Sequence, residues 1–406
     1  MLRFLTAGES HGPELTAILE GMIAGLPLAA ETIHRELARR QVSFGSGGRM
    51  RIEHDEARIT AGVMAGLTTG APIALEIANT DYRSWAAKLI PPMTVPRPGH
   101  ADLTAALKYG YRDLRLGLER ASALETAGRV AVGAICKAYL AQFGIVVGGY
   151  VTAIGEIAAD LPDHLPYAER FALAEANDVR CPDPAAAEAM RRHIREIMQA
   201  RDTVGGVFEI VVLGAPPGLG SHVHFDRRLG GRLMAALGAI QAVKGVEIGP
   251  GFANARLRGT QVHDEIVRET GGVLHRVANR AGGLEGGITT GEPIVLRAAM
   301  KPIATTLTPL RSVDLATGEP AATRYERSDF CAVPRAVVIG EAMVAWVLAD
   351  ELLRKLGGDS LAEQLPRFAA LPRNRLADLP MDNVEWRFGY ESDVKEPNHA
   401  PPTSNF

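Results

Sequence analysis

The chain contains one motif twice. Residues 61–77 read AGVMAGLTTGAPIALEI, and residues 282–298 read GGLEGGITTGEPIVLRA. The shared core, Thr-Thr-Gly-x-Pro-Ile-x-Leu, runs from Thr68 to Leu75 in one copy and from Thr289 to Leu296 in the other. Each copy reads as a glycine loop running into a strand. Glycine and threonine recur cheaply in turns, but the common proline–isoleucine register favours duplication over convergent turn chemistry. The expectation is a fold of two similar halves packed about an approximate internal two-fold axis.

The other elements decide the class. Helical spacing is expected over 31–40, where Ile33 and Leu37 share a face and Arg39 and Arg40 lie near the negative end of the dipole. The small-residue stretch 121–143, stopped by Gly144, reads as a close-packed internal helix. Asp183 and Pro184 open a charged helix through Arg201, with proline at the first helical position. Further helices are expected over 225–243 and over 341–356, the latter closed by Gly357 and Gly358. Strands are expected over 2–6, 50–53, 72–77, 146–154, 207–213 and 293–298. Helices and strands do not alternate regularly, which argues against a doubly wound parallel sheet and for an α+β fold. No Ser/Gly-rich or Pro-rich linker divides the chain, so 1–390 is expected to be a single domain. The polar, proline-broken segment 391–406 is expected to be a disordered tail.

Charge and cysteine usage narrow the function classes. With 47% hydrophobic and 22% charged residues, the composition is that of a soluble globular protein. A net charge of −3 provides no bulk field for nucleic acid or an anionic membrane, so an anionic ligand must be gripped by local arginines. Cys136, Cys181 and Cys331 are an odd set without Cys-x-x-Cys spacing, which argues against a disulfide framework and a thiolate zinc site. His222 and His224 alternate, but no carboxylate spacing completes a metal set, so no metal is expected. The first residues lack the apolar core of a signal peptide, and no apolar run is long enough to span a bilayer. The expected compartment is the cytoplasm.

Two histidines stand out chemically. His11 lies in Gly8-Glu9-Ser10-His11-Gly12, and His100 lies in Arg97-Pro98-Gly99-His100-Ala101-Asp102. Histidine titrates near neutral pH unaided, and two of them among glycines and polar groups suit a site with two separate proton donors. Arg39, Arg40 and Arg49 bracket the glycine-rich segment 41–48, where guanidinium forks and close backbone N–H groups match carboxylate or phosphate oxygens. No Gly-Lys-Ser/Thr follows, so this is no nucleotide P-loop. Ser122, with Arg120 and Arg129 near it, marks the start of the small-residue helix, a position that serves either as a cap or as an anion cradle. A second glycine-rich loop, 279–287, is followed after one strand by Lys301-Pro302-Ile303-Ala304-Thr305, which could hold a phosphate tail. Asp329 stands near Arg327; such an aspartate is ordinarily a structural ion pair, and its use as a base depends on what it faces.

Eight ordered blocks resemble the chorismate synthase family over roughly residues 1–370. They are GESHG (8–12), RPGHAD (97–102), ERASALETA (119–127), IQAVKGVEIGPGF (240–252), HDE (263–265), NRAGGLEGGITTG (279–291), AAMKPIATT (298–306) and RSDFCAVP (327–334). The resemblance implies conversion of 5-enolpyruvylshikimate 3-phosphate to chorismate by 1,4-anti elimination of phosphate, with reduced FMN and no net redox change. It implies a sandwich in which helices lie between antiparallel sheets, assembling as a homotetramer. Carried over by position, His11 would protonate the departing phosphate, and His100 would stabilise the reduced flavin. Asp329 would accept a proton through the flavin. Arg120, Ala121, Ser122, Gln241, Ala242, Gly286, Lys301, Pro302, Ile303, Ala304, Thr305 and Arg327 match the family's FMN contacts, and Arg40 and Arg49 its substrate contacts.

This chain has Ser46 and Leu124 where the family usually has arginine. Those two positions motivate the alternative of a weakened relative that binds flavin or a phosphorylated metabolite without turnover. No dinucleotide fingerprint and no inserted NADPH-binding module is visible, so reduced flavin is expected to come from outside rather than through NADP chemistry on this chain.

Overall fold

The computed structural model describes residues 1–46, 55–326 and 328–384. The expected strand at 50–53 and the tail 391–406 lie outside the described residues. Two antiparallel sheets form the outer layers. The first contains β1 (Arg3–Ala7), β2 (Glu14–Glu20), β3 (Ala57–Ala61) and β4 (Ile73–Ala78), in the order β1-β2-β4-β3. The second contains β5 (Val146–Ile154), β6 (Ile157–Ala158), β7 (Gly206–Leu213), β8 (Val243–Ile248) and β9 (Ile294–Met300), in the order β6-β5-β7-β9-β8. With β6 set aside, the orders are the same under the exchange of β1 for β5, β2 for β7, β3 for β8 and β4 for β9.

Eight helices of seven residues or more concern the site and its support. They are α1 (Ala30–Gln41), α2 (Asp102–Tyr109), α3 (Arg115–Ala121), α4 (Thr126–Ala141), α5 (Tyr167–Glu175), α6 (Pro184–Gln199), α7 (Leu229–Gly238) and α8 (Val333–Leu356). Helices α4 and α8 pack against each other between the sheets, α4 on β2 and α8 on β5 and β7. Small residues permit the approach: a Cβ on Gly133 would come within 2.2 Å of the Ala342 Cβ. Helix α8 also buries Glu341, whose carboxylate accepts from Arg39 Nη1 at 2.7 Å and Lys137 Nζ at 2.8 Å. Burial pushes this carboxyl up, but the Lys137 and Arg39 charges outweigh it and hold it below its ordinary value.

The repeat is structural down to single hydrogen bonds. Thr68 Oγ1 accepts from Leu26 N at 2.9 Å and donates to Ile23 O at 2.6 Å. Thr289 Oγ1 accepts from Leu219 N at 2.8 Å and donates to Pro216 O at 2.6 Å. Both receiving loops use residues three apart. Thr69 N donates to Gly62 O, and Thr290 N to Gly283 O, each at 3.0 Å. Gly62 and Gly283 have φ of +84° and +80°, and a Cβ on either would lie 2.5 Å from the carbonyl oxygen of Pro72 or Pro293. Only glycine fits there.

Several expected boundaries move. The helix expected over 121–143 is broken, because Ser122 is extended and its Oγ accepts from Leu124 N, opening a 3-10 turn before α4. The helix expected over 225–243 shrinks to α7; Ala242 takes φ +67°, and β8 begins at Val243. Helix α8 starts at Val333 rather than 341, with Pro334 in its first turn. Strands β2, β3, β6 and β8 lie outside the expected set.

Candidate active site

The β1–β2 loop carries His11 onto the end of α3. Its Nδ1 is 2.7 Å from Glu119 Oε1, and its backbone N donates to Glu119 Oε2 at 2.8 Å. The ring packs against Trp85, with centroids 4.2 Å apart. Burial pushes the Glu119 carboxyl up, but its bonds to the His11 ring and backbone hold it below the ordinary range. An ionised partner at Nδ1 fixes that nitrogen as N–H and leaves Nε2 for a ligand. Ser10 lies beside this pair, buried, with its N donating to Glu119 O and its Oγ 3.1 Å from Ser122 Oγ.

His100 is held in the same manner by a different element. Its Nδ1 is 2.5 Å from Asp102 Oδ1, and Asp102, at the start of α2, is fully buried. Arg97 Nε donates to Asp102 Oδ2 at 2.8 Å, its Nη2 to Oδ1 at 3.0 Å, and its Nη1 to Thr305 Oγ1 at 2.9 Å. Burial opposes ionisation of Asp102, but the His100 and Arg97 bonds prevail and hold its carboxyl far below the usual carboxylate range.

The two histidines do not touch, but one chain of hydrogen bonds joins their loops. Arg120 donates to Thr6 O at 2.7 Å and Gly8 O at 3.2 Å. Thr6 Oγ1 donates to Glu125 at 2.8 Å, and Gln241 Nε2 donates to the same carboxylate at 3.2 Å. Lys301 N then donates to Ala242 O at 2.9 Å, and Lys301 Nζ to Gly99 O at 2.8 Å. Of the residues matched to FMN contacts, Arg120, Gln241, Ala242 and Lys301 therefore lie on one path between the two loops, with Ser122 bonded to Ser10 at one end and Thr305 to Arg97 at the other. Gly286 sits elsewhere, in a small hairpin turn at φ +59° facing His222.

Asp329 belongs to a third cluster. Its Oδ2 is 2.8 Å from Arg335 Nη1, and Arg335 Nη2 donates to Ser46 Oγ at 3.1 Å. The neighbouring Val204 N donates to Phe330 O, and Thr203 Oγ1 donates to Ile303 O at 2.8 Å, which ties this cluster to the 301–305 segment. Arg40 is 1% exposed; it donates to Asp55 at 3.0 Å, Thr126 Oγ1 at 3.1 Å and Ala123 O at 3.2 Å. Leu124 packs against the core and, with Asp55, Asn79 and Thr80, lines a cavity of about 10 Å³, room for about one water. Arg49 and Arg327 lie outside the described residues. Among the described residues no cluster of three or more metal-ligating side chains occurs, and the three cysteines are buried and free. His224 instead bonds Asp226, at 2.8 Å.

Sequence reasoning missed the partners rather than the histidines. Glu119, Arg97 and Asp102 all lie inside the quoted motifs, where a carboxylate two residues after His100 was a usable signal. Trp85 and Arg335 had none.

Residues 2–353 match the chorismate synthase family. The chain belongs to that family. The chorismate synthase of Desulforamulus reducens is 52% identical over 372 residues, covering 89% of this chain and 96% of the relative. That of Aquifex aeolicus is 52% identical over 383 residues, covering 90% and 96%. A crystal structure of a chorismate synthase matches with a TM-score of 0.76 at 46% identity, covering 91% of this chain and 96% of that one. Membership makes this chain a lyase of the shikimate pathway, acting in aromatic amino acid biosynthesis. Its architecture, helices between antiparallel sheets, is the one the resemblance implied.

Proposed function

We propose that this chain forms chorismate from 5-enolpyruvylshikimate 3-phosphate by 1,4-anti elimination of phosphate, with His11, His100 and Asp329 as its proton-handling groups. The observation that carries the reading is the pair of carboxylate-held histidines on one continuous hydrogen-bonded path. His11, with Nδ1–H held by Glu119, delivers a proton from Nε2 to the departing phosphate. Asp329 takes the proton released when the C6–H bond breaks. His100, clamped by Asp102 and Arg97, is assigned to stabilise the reduced cofactor.

The residues present fit FMN. Gln241 Oε1 is buried and lacks a hydrogen-bond partner among the described residues, an acceptor of the kind a flavin N–H would satisfy. Ala242 holds a left-handed backbone at φ +67°, the sort of strain that gathers at ligand sites. Arg120, Ala121, Ser122, Gln241, Ala242, Gly286, Lys301, Pro302, Ile303, Ala304, Thr305 and Arg327 are assigned to hold it. When bound, reduced FMN, supplied from outside, would provide a transient electron for the elimination with no net redox change. Arg40 and Arg49 are assigned to the substrate's phosphate and carboxylates, Arg40 exerting its charge from its buried place beside Asp55.

Among the described residues no helix is long and apolar enough to cross a membrane. The enzyme is assigned to the cytoplasm and to a homotetramer. The bare outer face of the first sheet, where Leu5 is 71% exposed, supports assembly. The decisive experiment is anaerobic incubation of purified protein with chemically reduced FMN and the substrate. Chorismate is expected, together with a substrate-dependent change in the flavin spectrum. A spectral change without chorismate would favour the binding-only alternative that Ser46 and Leu124 motivate, and neither signal would refute both.

A further inference from the structure

Arg335 is an expensive side chain in its place. It lies in the first turn of the 24-residue helix α8, where the helix dipole favours anions over cations. It is 6% exposed, and its Nε is buried without a hydrogen-bond partner among the described residues. A buried orphan donor destabilises a fold unless something else requires the group. The remaining two nitrogens show what that is: Nη1 meets Asp329 Oδ2 at 2.8 Å, and Nη2 donates to Ser46 Oγ at 3.1 Å.

The frame around this contact is rigid. Ser46 Oγ donates onward to Ser43 O at 2.7 Å, which aims its lone pairs at the guanidinium. Phe330 N donates to Gly45 O at 2.9 Å, stapling the 43–46 loop to the residue after Asp329. A Cβ on Gly45, which has φ +84°, would lie 3.2 Å from the Cys331 Cβ, so the two segments approach as closely as backbone allows. Arg335 therefore has one neighbour that fixes its direction, Ser46, and one that receives its charge, Asp329.

We propose that Arg335 is a positioning residue for Asp329, holding its carboxylate in a fixed direction through the 2.8 Å contact, with Ser46 as the brace that sets the guanidinium plane. A proton acceptor works only when its oxygen is aimed at the C–H bond it serves, and a braced guanidinium at contact distance fixes that direction. The inference rests on the reading of Asp329 as the proton acceptor.

The test is a mutant cycle read anaerobically with chemically reduced FMN: Asp329→Ala, Arg335→Gln, the double variant, Arg335→Lys and Ser46→Ala. Loss of one charge-assisted bond predicts that Arg335→Gln lowers kcat by about 10- to 100-fold. KM for the substrate should stay within about threefold, because the lost interaction does not touch substrate. Arg335→Lys should recover much of the turnover, and Ser46→Ala should cost less than Arg335→Gln. Adding Arg335→Gln to Asp329→Ala should produce no further loss, since a residue acting only through Asp329 has nothing left to act on. Losses that multiply would overturn the proposal, as would wild-type kcat in Arg335→Gln beside a crippled Asp329→Ala. A rise confined to KM would make Arg335 a substrate cation and would also overturn it. Wild-type turnover in Asp329→Ala would remove the acceptor reading itself. Should Arg335→Gln fail to fold, Arg335→Lys with the Asp329→Ala cycle decides by the same criterion of additivity.

Discussion

The two halves of the molecule share a framework and differ in what connects its parts. In the first half a six-residue loop, 8–13, joins β1 to β2 and carries His11. In the second, the equivalent strands β5 and β7 are joined by residues 155–205, whose helix α5 covers the outer face of the sheet and buries Tyr150 and Val211. Among the described residues the first sheet has no such cover, and Ile18 is 40% exposed. A second contrast lies between the last strand of each half and its central helix. Residues 79–125 connect β4 to α4 and supply His100, Asp102 and Glu119; residues 301–332 connect β9 to α8 and supply Lys301, Thr305 and Asp329. The connectors are equivalent in position and unlike in sequence, and they meet through Lys301 on Gly99 and Arg97 on Thr305. Duplicated positions hold the fold, and the unduplicated connectors hold the residues proposed to carry the chemistry.

The sharpest way to break this comparison is at its paired glycines. Gly62→Ala and Gly283→Ala each force a left-handed alanine against a carbonyl oxygen, so each should destabilise by about 2–5 kcal/mol in denaturant unfolding. A large cost in one half and none in the other would deny the equivalence. Thr68→Val and Thr289→Val should each cost about 1–3 kcal/mol, because each strands a buried N–H and a buried carbonyl. Turnover lost in either valine variant beyond its loss of folded protein would show that the framework carries chemistry after all.

The connectors should respond in the opposite sense. Glu119→Gln removes the charge that orients His11 and should lower kcat about tenfold, roughly 1.4 kcal/mol, with little change in melting temperature. The smallest effect concerns pH. The Asp102 carboxyl is depressed in the folded state, so its contribution to stability is complete above its ordinary value of about 4 and is lost as pH falls below that. Melts between pH 7 and 3 should show a smaller acid-side loss in Asp102→Asn than in the parent; equal losses would mean that the Asp102 clamp is not ionised in the fold.

Much of this was legible before any coordinates. The repeat announced the two-fold framework because its glycines and threonines satisfy backbone requirements that few other residues meet. His11 and His100 drew attention as a pair, because two histidines among glycines and polar groups, beside anion-type motifs, suit a site with two proton donors. What was not legible depends on distance in sequence. Glu119 meets His11 across 108 positions, and Lys301 meets Gly99 across 202, separations that no local periodicity encodes. The break at Ser122 was missed because a small-residue run reads as continuous helix until its serine is seen to turn back on Leu124. Arg335 was missed because the helix was expected to begin at 341, beyond it, so nothing placed residue 335 in a helix's first turn. Arg40, matched to the substrate contacts, lies buried against Asp55, because α1 turns that face inward.

The central claim is that the histidines of the unduplicated connectors carry the proton chemistry, and one measurement addresses it directly. That measurement is kcat for His11→Ala and for His100→Ala, taken anaerobically with chemically reduced FMN and compared with the parent at matched melting temperature. Removal of a positioned proton donor predicts a loss of about 10²-fold or more in each, without loss of fold. Near-parental turnover in either variant would contradict the account.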